Sequence, residues 1–361
     1  MRRKKKILCT LMAMLLLSGC SMRTTDQLYC LPKRSQGHAQ LQQAIDKNMD
    51  GREYCAPLSG ENPQSVQRAD LDGDGKMEYL LFAKASSEKP LQILIFQEKA
   101  DGYVLADVIE SSGSAYDMVA YAQIDDVPGD ELVVGRQVSN QVARSVSAYC
   151  FRDGKAQQIL NANYSRFLIC DLDSDGHSGV MVFRPGGTEE SYGVAELYRF
   201  TDSKMERSKE ASMSAPVDRI KRVVPGKLQD DTPAIYVASA VGESSIITDV
   251  FAQVGGRFTN ISLSAEAGTS VQTLRNYYVY AADVDGDGVV ELPSLIGMRA
   301  PADERIPQRQ YLIRWFALNR SGEAVVSPTA RLNATAVFVS FAKVSLSTPV
   351  NWHLCVVSRT M

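Results

Sequence analysis

Three stretches of this chain place carboxylates at alternate positions ahead of a glycine. They are Asp70-Leu-Asp72-Gly-Asp74-Gly75, Asp171-Leu-Asp173-Ser-Asp175-Gly176 and Asp283-Val-Asp285-Gly-Asp287-Gly288. Like charges set this close repel one another. The grouping makes sense around a hard cation that takes many oxygen ligands, with the glycine allowing the sharp turn that turns those oxygens inward. The first and last stretches close on an acid at the ninth place, Glu78 and Glu291, whereas Gly179 stands there in the middle one. The opposing reading is a set of solvated turns, since Asp and Gly favour turns without any metal.

The elements that must carry these loops are short. After the first loop, apolar runs at 79–83, 91–97, 103–110 and 117–123 read as one four-stranded antiparallel sheet. The stretch that follows the loop then returns. Glu78-Tyr-Leu-Leu-Phe aligns with Glu131-Leu-Val-Val-Gly, Gly179-Val-Met-Val-Phe, Ala234-Ile-Tyr-Val-Ala and Glu291-Leu-Pro-Ser-Leu, at intervals of 53, 48, 55 and 57 residues. A period near fifty with four strands per period predicts an all-β chain folded as a β-propeller of five to six four-stranded blades. A β-sandwich would show similar turn density without the return of one loop.

On that frame the loops resemble those of the FG-GAP and VCBS repeat families, over residues 65–342. The resemblance implies Ca²⁺ held by the three Asp side chains, one backbone carbonyl and the ninth-place acid. Carried over, the ligands are Asp70, Asp72, Asp74, the Lys76 carbonyl and Glu78 in the first loop. In the fifth repeat they are Asp283, Asp285, Asp287, the Val289 carbonyl and Glu291. The third repeat supplies Asp171, Asp173, Asp175 and the His177 carbonyl, a weaker site for want of the last acid. The loops at 123–131 and 229–231 keep too few aligned acids and are expected to hold their turns without metal. An EF-hand would need a bidentate acid at position twelve, where Leu81, Val182 and Ser294 stand. Paired dockerin-type loops are excluded by the spacing.

The N-terminus opens with five basic residues in its first six. An eleven-residue run, apolar but for Thr10, follows at 7–17 and ends in Leu17-Ser18-Gly19-Cys20. That is too short to span a bilayer and suits an export signal. It resembles a bacterial lipobox, which implies cleavage before Cys20 and a lipid on its thiol. The expected organisation is a signal peptide at 1–19, a lipidated tether with a short helix and irregular leader at 20–64, and the propeller at 65–361. A lipid-anchored protein of the bacterial cell envelope, on its extracytoplasmic face, follows. The net charge of −3 becomes −8 once the five leading basic residues are removed, which argues against nucleic acid as a partner.

Seven cysteines leave five beyond Cys9 and Cys20, and an odd count leaves at least one unpaired. Cys30 and Cys55 could bridge the leader to the body, which their spacing alone does not show, and Cys150 and Cys170 fall in strand-like runs as buried thiols. The three histidines form no metal-hydrolase motif, and no nucleophile elbow, P-loop or dinucleotide fingerprint occurs. The expected role is therefore a non-enzymatic scaffold that engages a protein or glycan through its loops. An extracytoplasmic hydrolase or lyase with a site at the ring axis, and a purely structural envelope component, are the alternatives. The tail at 344–361 suffices for one or two strands and leaves ring closure open.

Overall fold

A computed structural model describes residues 36–138, 144–186, 192–299, 308–325 and 336–340. Cys20, the signal segment and the tail lie outside them, as does Cys30. Among the described residues no helix is long and apolar enough to cross a membrane. Helix α1 (Gln36–Asn48) buries Leu41 and Ile45 one turn apart and forms one compact unit together with residues 99–104.

The larger unit is built from five antiparallel sheets that follow one another along the chain. The first has β3 (Glu78–Ala85), β4 (Leu91–Lys99) and β5 (Gly102–Ser111). One edge of β3 is lined end to end by β1 (Arg52–Tyr54) and β2 (Val66–Ala69). The second runs β6 (Ala115–Ala122), β7 (Glu131–Gln137), β8 (Arg144–Arg152) and β9 (Lys155–Tyr164). The third runs β10 (Arg166–Cys170), β11 (Gly179–Pro185), β12 (Gly193–Thr201) and β13 (Lys204–Ser212). The fourth runs β14 (Ile220–Lys227), β15 (Pro233–Val241), β16 (Ser245–Val254) and β17 (Arg257–Asn260). In the fifth, β18 (Leu292–Arg299) pairs β19 (Gln308–Leu318), whose far edge is shared by β20 (Ala324–Val325) and β21 (Ala336–Ser340).

Two boundaries differ from the sequence reading. The strand at 115–122 opens the second sheet instead of closing the first, because Tyr116 is wholly buried in the core shared by both sheets. The Ser-Gly-Ser connector before it reads like any hairpin turn, although here it carries the chain from one sheet to the next. Residues 52–54, assigned to the tether, pair with β3 from Arg52↔Ala85 to Tyr54↔Ala83, so the sheet region begins well before residue 65.

The strands that follow the aligned loops in the first, third and fourth sheets carry unbroken apolar runs, as strands buried on both faces must. Leu80–Ala83, Val180–Phe183 and Ala234–Val237 are all buried. Fourth strands face water, and β13 reads Lys-Met-Glu-Arg-Ser-Lys-Glu-Ala-Ser with Met205 as its buried side chain. Each sheet stacks on the next. Phe82 meets Tyr116 edge to face at 5.1 Å between sheets one and two, and Tyr164 meets Phe167 at 4.9 Å between two and three. Phe183 meets Phe251 at 6.1 Å between three and four. Tyr236, Val290 and Phe316 share a core between four and five. Each fully buried ring contributes about 1.5–3 kcal/mol of hydrophobic stabilisation.

Candidate functional site

In the first four sheets the aligned loop joins β2 to β3, β6 to β7, β10 to β11 and β14 to β15; in the fifth it precedes β18, the first strand of that sheet, and is spanned by the isolated bridge Ala282↔Glu291. β3, β7, β11, β15 and β18 begin at, or within one residue of, the aligned positions Glu78, Glu131, Gly179, Ala234 and Glu291. The loops of neighbouring sheets touch. The Asp130 amide donates to the Asp70 carbonyl at 2.8 Å, and the Ser178 amide to the Gln123 carbonyl at 2.7 Å. Between the fourth and fifth sheets the Val290 amide donates to the Lys227 carbonyl at 3.0 Å and the Lys227 amide to the Gly288 carbonyl at 3.2 Å. At the first of these contacts a Cβ on Gly73 would lie 2.4 Å from the Pro128 carbonyl oxygen, and φ there is +70°. Only glycine fits both demands.

The three acidic loops share one internal pattern. The first carboxylate accepts two loop amides: Asp70 from Gly73 (2.8 Å) and Gly75 (3.0 Å), Asp171 from Ser174 (2.8 Å) and Gly176 (3.0 Å), Asp283 from Gly286 (2.7 Å) and Gly288 (2.9 Å). Where the ninth-place acid is present it reaches back to the second residue's amide. Glu78 accepts from Leu71 at 2.9 Å, Glu131 from Ile124 at 2.7 Å and Glu291 from Val284 at 3.1 Å.

Carboxylate oxygens then converge. Asp70, Asp72 and Glu78 present ligand atoms within 4.8 Å of one another, as do Asp283, Asp285 and Glu291, and Asp171, Asp173 and Asp175. Asp74 and Asp287 fall outside these compact sets. Each instead accepts the amide two residues on, Lys76 at 2.7 Å and Val289 at 2.8 Å, which holds the turn. Asp175 does the same for the His177 amide at 2.8 Å. The side chain of Lys76 is exposed and that of Val289 half-buried. The His177 ring is half-buried, with Nε2 at 3.4 Å from Asp126 of the second loop.

What separates the loops is whether a basic side chain already answers the carboxylates. In the second loop Arg152 lies 2.7 Å from Asp125 and 3.4 Å from Glu131, which is fully buried. In the third, the Arg199 guanidinium meets Asp173 at 2.6 Å and also Asp175. In the fourth, Arg320 is 2.6 Å from Asp230 and Lys227 is 3.2 Å from Asp231. Among the described residues no such cation pairs with the first or fifth set. The first has only the Gln97 amide, at 3.0 Å from Asp72 and 3.4 Å from Glu78.

The fifth set is the least satisfied. Glu291 is 1% exposed, and its Oε1 is buried without a hydrogen-bond partner, as is Oδ1 of Asp285. Burial, reinforced by the charges of Asp285, Asp287 and Asp283, pushes the Glu291 carboxyl up to about 7 against a bond from the Val284 amide. Burial likewise raises the Glu78 carboxyl, with Asp72 and Asp74 adding to it. Two orphaned buried oxygens beside a third carboxylate are what a hard divalent ion would satisfy. The donor set therefore fits a hard cation, which would draw on Asp283, Asp285 and Glu291 and, in the first loop, on Asp70, Asp72 and Glu78.

Gln97, Arg152 and Arg199 were not legible as site residues. They sit on third strands, about twenty residues beyond the loops they serve, and only the strand register brings them back. Gln97 and Arg199 stand opposite Glu78 and Gly179 in that register, one pair beyond Tyr79↔Phe96 and Val180↔Tyr198. Cys55, Cys150 and Cys170 are free thiols; Cys150 is buried, and burial pushes the Cys170 thiol up to about 12.

No protein-family model and no curated protein matches the chain. Among solved structures it is similar to the exotype rhamnogalacturonan lyase YesX, at 12% identity and a TM-score of 0.31 over 74% of this chain and 55% of that one. It is similar also to the rhamnogalacturonan lyase YesW, at 14% identity and a TM-score of 0.30 over 76% of this chain and 60% of that one. The chain thus spans 55–60% of the length of either.

Proposed function

We propose that this chain is a lipid-anchored envelope protein, tethered through Cys20, whose sheets are the blades of a β-propeller stiffened by Ca²⁺ at its first and fifth loops. Its role is a non-enzymatic binding scaffold for a protein or glycan. The observation that carries the metal reading is the contrast between loops. Three have a basic side chain against their carboxylates, and the fifth buries Glu291 with an oxygen that nothing satisfies. The stacking of each sheet on its successor through a shared core supports the propeller. The lipobox-like Leu17-Ser18-Gly19-Cys20 supports the anchor.

Thermal unfolding in Ca²⁺ against chelator tests the reading, because a ligand that binds only the folded state must stabilise it. For modest sites with Kd on the order of 10⁻⁴–10⁻³ M, about 10 mM Ca²⁺ adds roughly 1.4–2.7 kcal/mol per site. An unfolding curve that does not move with millimolar Ca²⁺ removes the metal from the proposal. Incorporation of labelled palmitate into the wild type but not Cys20→Ala tests the anchor.

A further inference from the structure

Away from the acidic loops, four basic side chains gather on one concavity. The first strands of the second, third and fourth sheets wall a cavity of about 720 Å³, within the size range of a ligand site. Four basic side chains line it, Arg144, Arg166, Lys221 and Arg222, against two acidic ones, Asp117 and Asp218. Both acids are already engaged. Asp117 accepts from the Tyr164 hydroxyl at 2.6 Å and lies 3.5 Å from Arg144, while Asp218 faces Arg219 at 3.9 Å. Arg166 has only a 3.5 Å bond to the Ile220 carbonyl, and Arg222 lies over the Tyr280 ring at 5.7 Å. Among the described residues neither arginine, nor Lys221, has a carboxylate partner. In a chain with net negative charge, three uncompensated cations on one concavity are a local reversal.

The backbone is shaped to present them. Asp117 is the extra residue of a bulge in β6, between Tyr116↔Arg136 and Met118↔Gly135. Lys221 is the extra residue of a bulge in β14, between Ile220↔Ser239 and Arg222↔Ala238. Bulges re-aim side chains and recur beside binding sites. The remaining lining includes Phe167, Leu168, Val217 and Val223, so the cavity offers apolar surface between its charges.

One wall already holds an extended peptide. The chain's own residues Leu58 and Ser59 occupy the outer edge of β6, donating to the carbonyls of Tyr116 (3.1 Å) and Asp117 (2.9 Å), with Ser59 bridged in parallel to Met118. A sugar is less well served, because Tyr164 and Phe167 are buried against each other and leave no open ring face to stack on.

We propose that this cavity receives an extended acidic peptide segment of a partner protein, with apolar side chains between its carboxylates. The inference rests on the scaffold reading only in taking the chain to be a binder, and it needs neither the lipid nor the metal. The probe is a fluorescein-labelled peptide of alternating glutamate and valine, titrated into the protein and followed by anisotropy. Its lysine–valine twin and an anionic oligosaccharide serve as comparison arms.

The acidic peptide is expected to bind saturably and to weaken with salt, and the lysine twin not to bind. The Arg166→Gln/Arg222→Gln double variant should weaken binding about tenfold, as expected for losing two exposed ion pairs. Both side chains are exposed, so the variant's unfolding midpoint should match the wild type. Absence of acidic-peptide binding overturns the proposal, as does equal binding of the lysine twin or unchanged affinity in the double variant. Binding of the oligosaccharide alone also overturns it, while leaving a scaffold. Ca²⁺-dependent unfolding of the same sample reports separately on the loops, so a failure here is distinguishable from a failure there.

Discussion

Glu291→Gln should stabilise the Ca²⁺-free protein, the reverse of what replacing a buried, hydrogen-bonded side chain ordinarily does. The wild-type carboxyl is moved from 4.5 to about 7 by burial and by the neighbouring aspartates. That corresponds to roughly 3 kcal/mol of disfavoured charge at pH 8. Glutamine removes the charge and keeps an oxygen for the Val284 amide. Its own amide nitrogen inherits the unsatisfied position of Oε1, which returns about 1–2 kcal/mol. The net expectation in chelator at pH 8 is a gain of about 1–2 kcal/mol, read from urea midpoints.

The sign with pH follows from the raised value. A carboxyl whose folded value is raised binds its proton more tightly folded than unfolded, so the burden it places on the folded state grows as pH rises from 4.5 to about 7. Below 4.5 the wild type is protonated in both states and the variant's advantage disappears. In excess Ca²⁺ the order should invert at pH 8, since the wild type gains the binding energy of the fifth loop and the variant does not. A variant less stable than wild type in chelator at pH 8, with an unchanged response to Ca²⁺, would refute both the electrostatic argument and the assignment of this loop.

The other loops make complementary predictions. Arg152→Gln leaves Asp125 and the buried Glu131 without their cation; a loss of about 3 kcal/mol is expected, and added Ca²⁺ should restore part of it, which the wild-type second loop cannot show. Gly73→Ala should cost more than about 1 kcal/mol in the urea midpoint, since its Cβ would meet the Pro128 carbonyl oxygen at a positive φ. Asp249→Ala should cost about 2–4 kcal/mol with no effect on the Ca²⁺ response. That buried carboxylate accepts from the Ser214 amide (2.9 Å), Asn260 (2.8 Å) and Ser270 (2.8 Å), and its loss would leave the Ser214 amide without its acceptor and take one bond each from Asn260 and Ser270.

The repeat was legible because it is a local property. The strands after the aligned loops are mostly apolar runs, and the acidic turn before the best of them has a composition that little else in a soluble chain imitates. The five aligned positions therefore mark the starts of β3, β7, β11, β15 and β18 to within a residue. Sheet membership was less legible. The connector before Ala115 and the hairpin turns elsewhere use the same Gly and Ser residues, and only the burial of Tyr116 against Phe82 distinguishes them.

The chain by itself thus determined the all-β class, the period, the acidic loops and which of them keep a ninth-place acid. Only the tertiary structure decided how each loop's charge is met. That answer depends on Gln97, Arg152 and Arg199, which strand register carries back across the sheet to loops they do not adjoin. The basic cavity is decided the same way, since Arg166 and Arg222 are separated by an entire sheet in sequence and meet only because successive sheets stack face to face. Charge compensation is a property of distance in space, and spacing along the chain reports it only within a turn.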